Sequence, residues 1–348
     1  MKIMELTSVD GCIAFDLDCP LSAGGTRLAP DVTRAEAGLL ARAMTYKFAV
    51  LGYEIGGAKA VLRAEPELRE ETVARYCREV TPLVAEGTFL TSSDLGTRTQ
   101  DFATLPGYRV DSVMHESLGD DLVDTMVTGL GVIAAADTAL GGLSGRTLAV
   151  EGFGKVGSAA VREAVRRGAT LVALSTVRGC VIDKSGLDVA ALFDLRAQYG
   201  DACVSHLGLP VLPAEALYEV AADVLVPGAR TGTLDPARAA TVGAAVVAPA
   251  ANVPYTREGL RVLRERGVTA LADFVCGAGA TIGYLADRAE PVAGVAAMRA
   301  LVDERVTALT GAAMEHPDGA FAGACALADE FLASWLDPSA RPAGPPFA

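Results

Sequence analysis

The residues best placed to do chemistry begin with Gly152-Phe153-Gly154-Lys155-Val156-Gly157. Three glycines at this spacing build an anion site when a strand leads into them and a helix leads out. Gly152 permits the tight turn, Gly154 lets the backbone approach a pyrophosphate, and Gly157 lets the helix pack on the strand. The N–H groups of the first helical turn then face the phosphates. The context agrees on both sides: Thr147-Leu-Ala-Val-Glu151 reads as a buried strand, Ser158 to Arg167 as a helix stopped by Gly168, and Thr170 to Leu174 as a second strand. A bare tight turn is the plainer reading of the same glycines. The acid that commonly ends the second strand and holds a ribose hydroxyl is missing, since the strand runs out as Ser175-Thr176-Val177-Arg178. No carboxylate repels a 2′-phosphate there, and Arg178 either attracts one or is a solvated loop residue. NAD and NADP both stay open.

Two lysines and a carboxylate form the second group. Lys59 lies in Ile55-Gly-Gly-Ala-Lys-Ala-Val-Leu62, where it is the one charged residue. An ammonium in such surroundings is desolvated and its pKa lowered. Lys47 ends the preceding helical stretch. Asp94 follows the short strand Thr88-Phe-Leu-Thr91, within Ser92-Ser-Asp94-Leu-Gly96-Thr97. A carboxylate at a strand end beside a glycine turn serves either catalysis or the turn itself. The histidines, His115, His206 and His316, sit in no motif that would make one an acid/base.

The elements that must position these residues follow from hydrophobic period and turn signals. Gly11 to Leu17 alternates as a half-exposed strand, and Asp18 to Pro30 reads as a polar loop. A helix opens at Asp31, with Thr33 and Glu36 at capping distance and Leu39, Leu40, Ala43 and Met44 on one face. Pro66 to Val84 and Val123 to Leu140 read as helices. Beyond the glycine motif, Gly186 to Tyr199 is helical, while Ala222 to Pro227 and Ala244 to Ala248 are buried strands. Their following loops, Pro227-Gly-Ala229 and Ala250-Ala-Asn252-Val-Pro254, lie where doubly wound sheets bind ligands. Thr256 to Arg266 reads as helix, Ala270 to Val275 as strand, Cys276 to Ala280 as a small-residue turn, and Val292 to Thr310 and Phe321 to Leu336 as helices. Residues 341–348 are expected to be a disordered tail.

Length and composition bound the class. At 348 residues the chain exceeds what one core organises, so two domains are expected. A net charge of −13 without Lys/Arg clusters argues against nucleic acid as a partner. No uninterrupted apolar run long enough for a membrane span occurs, and the start has no export-signal architecture. The 7 cysteines form no CxxC pair, which suits reduced thiols in a cytoplasm and suggests no metal site.

The motifs Gly24-Gly-Thr-Arg27, Met44-Thr-Tyr-Lys47, Gly56-Gly-Ala-Lys59, Asp94-Leu-Gly-Thr97 and Asp101-Phe102, followed by the glycine motif at 152–157, occur in one order. In this the chain resembles the glutamate/leucine/phenylalanine/valine dehydrogenases, most closely the leucine and phenylalanine branch, from about residue 10 to about residue 290. The resemblance implies an α/β protein of two domains with an active-site cleft between them. One is an α/β substrate and oligomerisation domain (1–127 plus 312–340), the other a Rossmann dinucleotide-binding domain (128–311). It implies a homo-oligomer, a dimer or larger. It also implies reversible oxidative deamination of an amino acid to a 2-oxo acid and ammonia, with NAD or NADP. Lys47 would pair the substrate carboxylate, helped by the backbone at Gly24 and Gly25. Lys59 would be the catalytic lysine, its pKa pushed down further by Lys47, and Asp94 would exchange protons with the amino group. The glycine motif, Thr128, Ser175, Thr176, Arg178, Ala229, Asn252 and Cys276 would line the cofactor. Cys276-Gly-Ala-Gly279 stands where the family usually has Asn-Ala-Gly-Gly, so an amide near the nicotinamide is absent.

That departure leaves a second function open, a catalytically impaired nucleotide-binding homologue with a regulatory or scaffold role. By the same resemblance Ala23 stands where glutamate-specific relatives carry a lysine, so a glutamate side chain would lack a partner. Ser92, Ala280 and Gly283 would form the rest of the pocket wall. Small walls leave room for a bulky, aromatic side chain.

Overall fold

The computed structural model describes residues 1–109, 111–118 and 121–348. The chain divides into two compact units, Met1–His115 with Cys325–Pro346, and Glu116–Ala324 with Phe347–Ala348. The expected boundaries lay at 127/128 and 311/312; the observed division gives the whole of helix 123–140 to the second unit.

In the first unit β1 (Lys2–Glu5), β2 (Gly11–Phe15), β3 (Ser22–Leu28), α1 (Arg34–Val50), β4 (Gly56–Leu62), α2 (Arg69–Ala85) and β5 (Phe89–Ser93) follow one another. The sheet order is β1-β2-β4-β3-β5, with β3 parallel to both β4 and β5. Here the structure corrects the sequence reading, because β3 lies inside the expected loop 18–30. Its Ser-Ala-Gly-Gly-Thr run has neither alternation nor β-branched bulk, yet the sheet requires small residues there: a Cβ on Gly24 would lie 1.6 Å from the Ala58 carbonyl oxygen. The β3–β4 register runs through Ser22 and Ala23, lapses at Gly24 and Gly25, and resumes at Thr26.

Strand period two gives the sheet two faces. Leu28, Ala58, Ala60, Leu62 and Phe89 pack with Tyr76 and Val80 of α2 in one core. Val61 packs with Cys12, Ala14, Ala37 and Ala41 under α1 on the other. Ala23, Gly25, Arg27, Gly57 and Lys59 share this second face. Pairing of Ala23 with Leu90 and of Gly25 with Ser92 adds β5 to it. α1 lies close on this face, since a Cβ on Gly57 would meet the Ala41 carbonyl at 1.9 Å. The helix starts after Thr33, whose hydroxyl accepts the Glu36 N–H at 3.1 Å, rather than at Asp31.

The second unit opens with the short pair β6 (Ser117–Leu118) and β7 (Asp121–Leu122), then α3 (Val123–Leu140). There follow β8 (Thr147–Glu151), α4 (Lys155–Arg166), β9 (Thr170–Thr176), β10 (Gly179–Ile182), α5 (Val189–Tyr199), β11 (Val224–Val226), α6 (Pro236–Thr241), β12 (Val246–Val247), α7 (Arg257–Glu265) and β13 (Thr269–Ala270). The last helices are α8 (Asp273–Cys276), α9 (Gly279–Ala289), α10 (Gly294–Met314) and α11 (Ala320–Trp335), which runs from one unit into the other. The sheet order is β10-β9-β8-β11-β12-β13, parallel apart from β10. The order reverses between β8 and β11, the switch point at which such sheets bind ligands.

α3 has the length and apolarity of a membrane span, and 61% of it is buried inside the unit, against α4, α9 and α10. Its glycines explain the close packing: a Cβ on Gly129 would meet Ala159 at 2.6 Å, and one on Gly131 the Cys276 carbonyl at 2.7 Å. Two expectations fail here. The strand expected at 270–275 ends at Ala270 and turns into α8, because a short apolar run is compatible with a buried strand or a buried helix turn. The tail at 341–348 is not loose. Phe347 packs at a tilt on Phe321 at 5.6 Å under the Arg257 guanidinium, and the Ala348 N–H donates to the Tyr255 carbonyl at 3.1 Å. This half-buried ring, the buried Pro346 and the Gly344 carbonyl, which accepts from Arg42 Nη1 at 3.0 Å, anchor what composition alone makes a flexible end.

Candidate active site

Lys59 sits in the middle of β4 with its side chain 4% exposed, and its Nζ lies 2.6 Å from Asp94 Oδ2. The same oxygen accepts from Arg27 Nε at 2.9 Å, and Arg27 Nη1 donates to Glu36 Oε1 at 2.6 Å. Burial pushes the Lys59 ammonium below its ordinary value; Asp94 opposes this and Arg27 adds to it. Burial alone would raise the Asp94 carboxyl, but Lys59 and Arg27 outweigh it and hold the group well below the usual carboxylate range. Arg27 is thus a cation that lowers the Lys59 ammonium, one that sequence reasoning, which named Lys47, did not include. Arg27 was within the quoted motif, two residues after Gly25, and strand period two would have set it on the Lys59 face.

The two readings of Asp94 separate on which of its atoms the turn uses. The Asp94 carbonyl accepts the Thr97 N–H at 3.1 Å, and its own N–H donates to the Thr97 hydroxyl at 2.9 Å. Thr97 in turn donates to the Thr26 carbonyl at 2.8 Å. The turn is closed by backbone and threonine, so the carboxylate is left for the two cations. Gly25 leaves room for the pair: a Cβ there would lie 3.0 Å from Asp94 Cβ and 3.3 Å from Lys59 Nζ, and both side chains would have to give way.

The remaining residues of this face are placed as follows. Lys47 is buried in the last turn of α1, two residues after Thr45, whose hydroxyl accepts the Gly57 N–H at 3.0 Å. Ala23 is buried between Gly57 and Leu90, and Ser92 is exposed opposite Gly25.

In the second unit the glycine motif forms the turn between β8 and α4. Gly152 has φ 85° and its N–H donates to the Ser175 carbonyl at 2.8 Å. A Cβ on Gly157 would strike the Gly152 carbonyl at 2.0 Å, whereas one on Gly154 would meet nothing. Two glycines are therefore demanded by the fold and the third is not. No side chain caps the start of α4, where Lys155 and Val156 lie, so its first N–H groups point out of an open cradle. A dinucleotide pyrophosphate fits this donor set.

Phe153 is 2% exposed and packs on Phe193 at 5.1 Å, so its side chain anchors α5 and only its backbone belongs to the cradle. Thr176 is also turned inward, donating to the Asp201 carbonyl at 2.7 Å, while Arg178 is exposed. The Ala229 N–H donates to Glu151 Oε2 at 3.2 Å, and Glu151 Oε1 accepts the Tyr218 hydroxyl at 2.6 Å. Glu151 thereby ties the ends of β8 and β11 together, a role that its place as last residue of a strand did not disclose. The half-buried Thr128 donates its hydroxyl to the Asp124 carbonyl at 2.9 Å. The Asn252 carbonyl accepts the Thr231 hydroxyl at 3.2 Å. Its neighbour Val253 takes φ 49°, pinned by its N–H to Asp273 Oδ2 at 2.9 Å.

Two positions differ from expectation. Cys276 is fully buried at the end of α8 and its thiol belongs to the core; the more open residues at this break are Gly277 and Ala280. Ala280 and Gly283 also part company. Gly283 lies on the buried face of α9 with Gly279 and Ile282, while Ala280 shares the more open face with Tyr284, whose hydroxyl donates to Asp124 Oδ2 at 3.2 Å.

Comparison with known families fits this arrangement. Residues 119–314 match the family described as Glutamate/Leucine/Phenylalanine/Valine dehydrogenase, and residues 16–108 match its dimerisation domain. The chain belongs to this family. As an amino-acid dehydrogenase family member it is 32% identical, over 74% of its length and 67% of the relative's, to an NADP(+)-dependent glutamate dehydrogenase of Pyrobaculum calidifontis. It is 29% identical, over 75% of its length and 67% of the relative's, to an NAD-specific glutamate dehydrogenase of Staphylococcus aureus. The fold matches the hetero-hexameric glutamate dehydrogenase of Thermus thermophilus in its leucine-bound form, with a TM-score of 0.78 and 27% identity over 93% of this chain and 84% of that one. The match thus spans about two thirds of the length of these curated relatives.

Proposed function

We propose that this dehydrogenase catalyses the reversible oxidative deamination of an L-amino acid with an apolar, bulky side chain, using NAD or NADP. The observation that carries the reading is the buried Lys59–Asp94 pair, in which a lysine with a lowered pKa touches a carboxylate that the turn does not need. The N–H groups of residues 155–157 would hold the pyrophosphate of a bound dinucleotide, whose nicotinamide would supply the hydride acceptor for the substrate α-carbon. The protein's own groups do the rest. Lys47 pairs the α-carboxylate, assisted by backbone groups where the β3–β4 ladder lapses at Gly24 and Gly25. Asp94 Oδ2 is held by two cations, so the carboxylate stays fixed while it exchanges a proton with the substrate nitrogen. Neutral Lys59 takes a proton from the water that adds to the imine carbon and passes it to the nitrogen of the resulting carbinolamine; the hydroxyl of that adduct then loses its proton as the C–N bond breaks, giving the 2-oxo acid and ammonia.

The side-chain preference rests on the neighbours of the pair. Ala23, Gly57 and Leu90 adjoin one another on the Lys59 face and carry no charge. A substrate carboxylate buried there would lack a partner, whereas an aromatic ring would gain about 150–250 Å² of buried surface. Cys276 is fully buried and the amide of the usual family motif is absent at this position, so the impaired-homologue reading is the alternative that the assay has to separate. The test is ammonia-dependent oxidation of NADH and NADPH with a panel of 2-oxo acids. Turnover that requires ammonia is expected, and binding of reduced cofactor without any turnover would favour a regulatory homologue.

A further inference from the structure

We propose that Arg27, itself held by Glu36, is a positioning residue that keeps Asp94 ionised and in place when Lys59 gives up its proton. This rests on the reading of Lys59 and Asp94 given above. Asp94 Oδ2 takes both cations, Lys59 at 2.6 Å and Arg27 at 2.9 Å. A base must pass through its neutral form, and at that moment Lys59 no longer offsets the carboxylate. A buried carboxylate without a cation beside it takes up a proton. Arg27 cannot lose its own proton, so it supplies a charge that does not change through the cycle.

The geometry is that of a clamp. The guanidinium reaches from β3 to two carboxylates on different elements, Asp94 beyond the end of β5 and Glu36 in the first turn of α1. Glu36 has the spacing for a reciprocal cap, in which it would reach back to the Thr33 N–H. Thr33 does accept the Glu36 N–H, yet the Glu36 carboxylate goes to Arg27. The Arg27 side chain is 11% exposed, against 25% for Glu36 and 19% for Asp94, so both contacts are partly shielded from solvent. The charged groups that act on Lys59 include Asp94, Arg27 from β3 and Glu36 from α1, with Lys47 buried in the last turn of that same helix, while β2 presents the uncharged Ala14 opposite it. Loss of Arg27 removes a like charge from Lys59 and leaves Asp94 to it alone. Both changes make the ammonium harder to deprotonate.

The experiment compares wild type with Arg27→Gln and Arg27→Lys. One readout is the pH profile of kcat/KM for the 2-oxo acid turned over fastest in the panel. The other is the pH dependence of Lys59 acetylation by acetic anhydride, read by peptide mass spectrometry. Arg27→Gln is expected to move both curves up by about one pH unit or more, with about tenfold loss of kcat/KM near neutrality that is recovered at higher pH. Arg27→Lys, which keeps the charge but not the fork, is expected to lower kcat with less than half that displacement. Curves for Arg27→Gln that superimpose on wild type overturn the proposal, even where kcat falls. The labelling curve needs no turnover, so an inactive variant still decides the matter. Lys59→Ala separates the two claims: more than about a tenth of wild-type kcat would refute the reading of Lys59 as the base, while the labelling of Lys59 in Arg27→Gln still tests what Arg27 does to it.

Discussion

At the scale of residues, the proposed chemistry rests on side chains whose types were legible but whose partners were not. Lys59 stands out in the sequence because nothing charged surrounds it, and the structure gives it that burial. Asp94 could not be separated from a turn residue until the Thr97 hydroxyl was seen to close the turn. Arg27 escaped because β3 was read as loop, and a loop has no faces. Gly25→Ala is expected to cut kcat at least about tenfold with folding intact, since the new methyl crowds both Asp94 and Lys59 and displaces them from each other. Circular dichroism and steady-state kinetics check it, and wild-type kcat would show that the pair tolerates the intrusion. Ala23→Lys is expected to raise kcat/KM for 2-oxoglutarate relative to phenylpyruvate, because the new ammonium gives a side-chain carboxylate its missing partner. On the cofactor side the exposed Arg178, rather than the inward-turned Thr176, is the residue to change. Arg178→Glu should weaken NADPH more than NADH, and equal losses would remove Arg178 from the ribose site.

At the scale of elements, the glycine motif and its two strands were legible, as were the long helices. The failures were β3, where close strand approach selects glycine over any pattern, and the run 270–275, too short to declare its period. One element interaction had no sequence signal at all. Glu163 of α4 is buried and accepts from Arg166, Arg167 and Arg299 of α10, while Arg167 also reaches Asp137 of α3 and Asp303 of α10. Burial would raise its carboxyl, but the three guanidiniums hold it down at about 2. A depressed carboxyl stabilises the fold above its unfolded pKa of about 4.3 and loses that contribution as pH falls towards the folded value. Acid melting of the second unit should therefore set in between these two values. Glu163→Gln should cost about 3 kcal/mol, roughly 6–12 °C in Tm for a unit of this size, and should flatten that acid limb. An unchanged Tm would show the cluster to be solvated. A second element-level feature is the strained Val253 beside Asn252. Val253→Gly relieves roughly 1–2 kcal/mol of left-handed strain, but it empties a buried side-chain site and frees the unfolded chain. The second unit should lose stability on balance while the Kd for NADH rises, and an unchanged Kd would detach Asn252 from the cofactor.

At the scale of the molecule, two units were foreseeable from length and from a nucleotide motif in mid-chain, and the family from motifs in order. Their limits were not, because a boundary is set by which contacts each helix makes and not by composition. Helix 123–140 is drawn into the second unit by α4, α9 and α10. Residues 16–108 match a dimerisation domain, so light scattering should give a mass above that of one chain. In the function proposed here the first unit, with its buried Lys59–Asp94 pair, acts on the substrate, while the second holds the dinucleotide. Lys59→Ala tests that claim most directly, with kcat and the Kd for NADH measured on the same preparation. The account predicts turnover below about a thousandth of wild type with the Kd within about twofold, because the lysine acts on the substrate alone. A variant that keeps about a tenth of kcat, or that loses cofactor binding together with turnover, would contradict it.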